Sequence, residues 1–307
     1  MVPHVDTASG ITHGSPVAPT AIFAGLTTLD VVQLVERMPA PNEKTVAAEF
    51  LLAAGGPAAN AAVAFAAAGG SPTLATALPD HPLTPVVTDD LVRHGVTVVV
   101  AAGYDGPPIT ASILVQAATG ERAVVSPSST AASGEVTITS PLPAIDGAGA
   151  VLVDGYFRAV ALPLAAEARQ RGVPVIMDGG SVKAHTEEVL AHADVAVVSA
   201  DFAPEGTGGR ADAVLDWLSE RGLSFAAVTR GGLPIVYRTP EGDGEVDVAP
   251  VPVRDTLGAG DFFHGALTAR IAAQGLDAAR FAADLAWAAE VAGRSLASFG
   301  TRAWLER

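Results

Sequence analysis

The stretch Asp255-Thr-Leu-Gly-Ala-Gly-Asp261-Phe-Phe-His-Gly-Ala-Leu267 sets a carboxylate at the end of a glycine-rich turn. Phe263, Leu267 and Ile271 stand at i, i+4 and i+8, so a helix begins where the turn ends. The first amides of a helix lack intrahelical partners, and the dipole there favours negative charge. Glycines let that backbone approach an anion closely. Asp261 beside such an anion site reads as a proton acceptor working next to a phosphate; as a local feature it reads equally well as a helix cap. The loop is no Walker P-loop, because Ala266-Leu267 stands where Lys-Ser/Thr is required. No G-x-G-x-x-G dinucleotide fingerprint occurs either.

A second block, Gly55-Gly-Pro-Ala-Ala-Asn60-Ala-Ala-Val-Ala-Phe-Ala-Ala-Ala-Gly69, opens another helix with paired glycines. Together the two blocks resemble the signatures of the ribokinase-like (PfkB) carbohydrate kinases, D-T-x-G-A-G-D-x-F-x-G-A and G-G-x-x-x-N-x-A. Every fixed position is matched, in the right order, and the resemblance covers roughly residues 21 to 303.

The resemblance implies an ATP-dependent sugar kinase using Mg2+, with K+ as a further cofactor in many relatives. It makes Asp261 the base that takes a proton from a substrate hydroxyl, and Gly258, Ala259 and Gly260 an anion hole for the transferring phosphoryl group. Asp255 and the Leu257 carbonyl correspond to monovalent-cation ligands; alternatively Asp255 only fixes the turn. Asp30 corresponds to an acceptor of sugar hydroxyls, or is a turn residue. Gly55 and Gly56 would offer amides to the sugar, and Asn60 would hydrogen-bond it or cap its own helix. Thr229 and Gly231, in Val228-Thr-Arg-Gly-Gly232, resemble the nucleotide loop.

Some positions depart from the pattern. The N-x-x-E element that organises magnesium is replaced by Ser199-Ala-Asp-Phe202; either Asp201, shifted by one position, substitutes, or Asp178 and Lys183 serve the nucleotide side, Lys183 reading equally as a solvated surface charge. Pro57 stands where ribokinases carry lysine. The degraded element and the run Val153-Asp-Gly-Tyr-Phe-Arg158 resemble the ketohexokinase and sulfofructose kinase branches, and Pro57 counts against ribose, which together imply a fructose-like ketohexose. Lys44 and Arg158 could then grip an anionic substituent, or be solvated surface charges. A nucleoside kinase of the same fold and a catalytically inactive sugar-binding regulator are the alternatives. The 5% aromatic content offers little to line a base-binding slot.

The elements that must position these residues follow from the chain's pattern. Its 307 residues are 49% hydrophobic and 17% charged, enough for one large core. A formal charge of -15 argues against nucleic acid and anionic membranes as partners. The absence of cysteine excludes disulfides and thiolate chemistry. His264 reads as an exposed or packing residue. Residues 1–20 read as a disordered leader without an export signal, so a cytoplasmic location is the default. Residues 21–307 read as a single domain. Short apolar strands alternating with helices predict a three-layer α/β/α fold around a mostly parallel sheet. Strands within 31–52 and 109–126 break the alternation and predict a small inserted sheet, implied by the resemblance to be a lid over the sugar and a homodimer contact.

Overall fold

The computed structural model describes residues 18–127 and 136–306. Most of the leader expected over 1–20 lies outside the described residues, and Thr20 already opens the first strand. In chain order come β1 (Thr20–Ala24), β2 (Thr28–Val35), β3 (Glu49–Gly55), α1 (Pro57–Ala67), β4 (Ser71–Ala77), α2 (Thr84–Arg93), β5 (Thr97–Gly103), β6 (Thr110–Gln116), β7 (Arg122–Val125) and β8 (Thr137–Ile138). The second part holds β9 (Ala150–Val153), α3 (Arg158–Gln170), β10 (Val175–Gly179), α4 (Thr186–Leu190), β11 (Val195–Ser199) and α5 (Ala211–Ser219). It closes with β12 (Phe225–Arg230), β13 (Leu233–Thr239), β14 (Gly242–Val246), α6 (Ala259–Gln274), α7 (Ala278–Ser295) and a 3-10 turn at Ala303–Glu306.

The large sheet runs β14-β13-β12-β11-β10-β9-β1-β4-β5-β8. Its pairs from β12 through β5 are parallel, while β13, β14 and β8 add antiparallel edges. Alternate residues of each strand feed opposite faces. Phe23, Leu74, Leu152, Ile176 and Val197 pack beneath α1, α2, α6 and α7. Ile22, Ala75, Val151, Val153, Met177 and Val198 pack against α3, α4 and α5. Burial on both faces explains why these strands read as apolar runs rather than as alternations.

The expected small sheet is present, in order β3-β2-β6-β7. Its β3 starts at Glu49, later than the expected Thr45. The intervening loop is held locally instead: Glu43 accepts from the Ala40 amide at 2.8 Å and from Arg37. Asn42 there adopts a left-handed φ of 64°. Pairing resumes when Ala48 N donates to Leu34 O. β8 is too short to carry a periodic signal and was not expected.

Candidate active site

The site begins where α1 crosses α6. A Cβ added to Gly265 would stand 2.1 Å from the Ala61 carbonyl oxygen, so glycine is what lets the helices touch. That contact brings Asn60, next to Ala61, against Asp261, one turn before Gly265. Asn60 Nδ2 donates to Asp261 Oδ2 at 2.9 Å. Neither residue caps its helix: the N-caps are Gly56 and Gly258, without side-chain capping bonds. Asn60 is itself buried; besides donating to Asp261 it accepts from Arg302, whose Nη1 donates to Asn60 Oδ1 at 3.0 Å. The structure thus places the Asn60 amide between Asp261 and Arg302.

Gly258 takes φ 76°, the left-handed conformation that swings the chain into α6. A side chain there would meet the Phe262 ring at 3.0 Å. Gly260 differs: a Cβ would meet nothing within 4 Å. Open space therefore lies beside Gly260, in the first turn of α6. Crowding by protein, and then the nearby Asp178 carboxylate, push Asp261 up to about 7; the Asn60 amide, His264 and Arg122 pull the other way. Asp261 still keeps some solvent contact. A carboxyl poised near neutrality can both accept and return a proton.

The carboxyl ends of the parallel strands supply the neighbouring groups, the usual ligand edge of such sheets. Asp178, at the end of β10, is buried with one carboxylate oxygen lacking a hydrogen-bond partner; that oxygen lies 3.4 Å from His264 Nδ1. His264 is buried, tied to the Gly260 carbonyl at 2.8 Å and the Val197 carbonyl at 3.1 Å. It is a packing residue that locks α6 to the sheet. Thr229, next to last in β12, pairs with Ser199 of β11, and Gly231 turns the chain with φ 62°. Lys183 lies over the Tyr156 ring, 4.4 Å from its centre. Asp201 is exposed, while Ser199 Oγ donates to the Gly180 carbonyl.

The small sheet and the segments beside it carry most of the remaining candidate residues. Asp30 in β2 is buried, accepts from Thr28 Oγ1 at 2.6 Å, and burial raises it to about 6. It does not sit in a turn. A Cβ on Gly55 would strike the Asp30 carboxylate at 2.0 Å, and one on Gly56 the Leu26 carbonyl at 2.3 Å. The paired glycines thus make room for Asp30 and for the entry into α1. Asp255 accepts the Leu257 amide at 2.9 Å and the Gly300 amide at 2.8 Å. Both oxygens are engaged in fixing the turn, and any cation would have to share them. Leu257 packs on the lid core of Val32, Leu34 and Ile113. Lys44 is exposed in the β2–β3 loop, and Arg158 is exposed and paired with Glu188.

Three further groups adjoin the site, and of these only Asp154 falls within a run that resembles the family. Arg302 is buried and holds Asp90 at 3.1 Å and the Ala54 carbonyl at 2.7 Å besides Asn60. Asp154 is buried and accepts the amides of Leu26, Ala58 and Tyr156, so it clamps the start of α1 to the ends of β1 and β9. Burial raises it to about 6. Arg122 of β7 donates to Thr256 Oγ1 at 2.7 Å, so the lid touches the turn before α6. A charged residue directly after a fully apolar strand was the available signal for Asp154; Arg302 and Arg122 had none beyond their charge.

The sequence profile described as pfkB family carbohydrate kinase matches residues 20–303. Among solved structures, a candidate ribokinase from Agrobacterium tumefaciens is 25% identical, with a TM-score of 0.80 over 94% of this chain and 99% of that one. Fructokinase with bound ATP from Xylella fastidiosa is 22% identical, with a TM-score of 0.66 over 92% and 93% of the two chains. Aminoimidazole riboside kinase from Salmonella enterica, complexed with aminoimidazole riboside and an ATP analogue, is 21% identical, with a TM-score of 0.68 over 93% and 96%.

Proposed function

The chain belongs to the pfkB family of carbohydrate kinases, and we propose that it transfers the γ-phosphoryl group of ATP to a primary hydroxyl of a ketohexose-type, fructose-like sugar. The observation that carries the chemistry is the geometry at Asp261: it is bonded to Asn60 and follows Gly260, beside which space is open at the start of α6, and burial raises it to about 7. As the substrate oxygen bonds to the γ-phosphorus, its proton passes to Asp261 and the bond to the β-phosphate oxygen breaks, releasing ADP. The amides of Gly258, Ala259 and Gly260 face the developing charge. Asp30, Gly55 and Gly56 line the sugar side; Asp178, Lys183, Thr229 and Gly231 line the nucleotide side. The enzyme would work in the cytoplasm.

Among the described residues no three His, Asp or Glu side chains gather into a metal cage. Magnesium keeps several waters and needs only one or two carboxylates beside the phosphates of ATP; Asp178, with a buried oxygen that lacks a hydrogen-bond partner, would be the residue to hold it, and the ion would neutralise charge on the phosphates. Potassium beside Asp255 and Leu257 would act on the turn before α6 rather than on the reacting atoms.

The choice of sugar rests on Pro57 and the degraded N-x-x-E element. The anionic refinement draws no support from Arg158, which Glu188 already engages. The nucleoside alternative is favoured by nothing in the lid, whose one aromatic, Phe50, is 62% exposed and faces outward. A panel of fructose, its 6-substituted anionic derivatives, ribose and a nucleoside, read by ADP release, tests the reading. Fructose or a derivative should give the highest kcat/KM. Ribose or the nucleoside ranking above every ketose would overturn the substrate, and no turnover with any acceptor would favour the inactive regulator.

A further inference from the structure

The least expected group beside the base is Arg302, which comes after the last long helix and outside both signature blocks. Its guanidinium is 7% exposed and makes four hydrogen bonds, to Asp90 Oδ2, Asn60 Oδ1, Thr301 O and Ala54 O. Guanidinium only donates. The Asn60 oxygen must therefore face Arg302, and its NH2 group must face Asp261. An amide free to turn over could offer Asp261 either an N–H or a carbonyl. The first suits a carboxylate and the second a carboxylic acid. Arg302 removes that choice.

We infer that Arg302 is a positioning residue for the base: by fixing the Asn60 amide, it makes Asp261 an acceptor only, and so favours the proton-accepting form. The inference rests on Asp261 being the base of the reaction proposed above. The other charged or titratable groups around Asp261 are Asp178 from β10, His264 from α6 and Arg122 from β7. Those around Arg302 are Asp90 from α2 and Asp30 from β2, with Asp261 beyond Asn60. Of these, only the Arg302–Asn60 link dictates an orientation rather than adding a field.

The test is the pH dependence of kcat/KM. Arg302→Met alone would take from the buried Asp90 carboxylate its close guanidinium, leaving the Ala54 amide, His94 at 3.4 Å and Arg93 at 4.0 Å, and would endanger folding. Asp90→Asn/Arg302→Met removes both charges and keeps an acceptor for the Ala54 amide. The acidic limb should move to higher pH by ~1 unit, the scale of one hydrogen bond to a charged group. Turnover should fall roughly tenfold below the wild-type midpoint and recover in alkaline buffer. Asn60→Ala, which leaves the Arg302–Asp90 pair intact, should shift the same limb in the same direction. An unmoved midpoint in either folded variant, or a loss equal at every pH, overturns the inference. Asp261→Asn is measured alongside. If that variant keeps near-normal turnover, the base assignment itself fails; if it is inactive while the midpoints stay put, only the role of Arg302 fails.

Discussion

At the scale of single residues, Asp261 and Gly260 make separable claims. Asp261→Asn keeps the shape of the carboxyl and can still accept from Asn60, so the fold should hold. Turnover should fall by roughly 10²–10⁴, the usual scale for losing a general base. The wild-type rate should also fall on the acid side of pH 7, because the base works as a carboxylate and Asp261 is raised to about 7. A rate that is level from pH 8 to pH 5.5 would remove Asp261 from the mechanism. At Gly260 a new Cβ meets no protein atom within 4 Å, so Gly260→Val should melt close to wild type. The branch would fill the space where a phosphoryl group must approach the amides, and phosphoryl transfer should collapse by at least ~10²-fold. Parallel loss of stability and activity would make this glycine purely structural. These two residues were legible because their surroundings are local: turn, helix start and carboxylate follow one another in the chain. The Asn60–Asp261 bond spans two helices, and nothing in a linear reading says which way an amide turns.

At the scale of elements, the parallel strands and buried helices were readable from apolar runs and glycine stops, and the lid from the strands that broke the alternation. The loop before β3 was misjudged because Thr45 and Val46 favour strands by type, while Glu43 holds the chain out of the ladder. The contact of lid with active-site turn was hidden, since Arg122–Thr256 and Leu257 on the lid core join distant segments. The lid's outer face also carries a consequence. Phe50 is 62% exposed, Leu52 45% and Val125 74%, all on the side away from Val32, Ile113 and Val115. An apolar sheet face of this kind is the sort of surface that a second copy covers. We therefore expect a homodimer through the lid by sedimentation velocity, and a monomer for Phe50→Lys/Val125→Lys. A wild type that stays monomeric at assay concentrations would refute the lid contact.

At the scale of the whole molecule, the buried acids govern how stability depends on pH. Asp30 and Asp154 are each raised to about 6 and Asp261 to about 7, all chiefly by burial. Above those values folded and unfolded chains are both ionised there, and the fold bears the full cost of burying the charges. As pH falls from about 7 toward 4, the folded chain takes up protons that the unfolded chain still declines, so stability rises. Below about 4 both forms are protonated and no further gain accrues. The surface acids Glu43, Glu188 and Asp243 are lowered by Arg partners and act oppositely, but exposed pairs contribute little. The ligand-free protein should therefore melt several degrees higher at pH 5.5 than at pH 8, at ~2–4 °C per kcal/mol. Relief of the overall charge of -15 would act in the same direction. Two variants with the same charge change separate the causes. Asp30→Asn removes a buried carboxylate and should shrink the difference, whereas Asp89→Asn, on the exposed side of α2, should leave it nearly intact. Equal responses would assign the effect to net charge alone, and a melting point that climbs from pH 5.5 to pH 8 would contradict the burial argument outright.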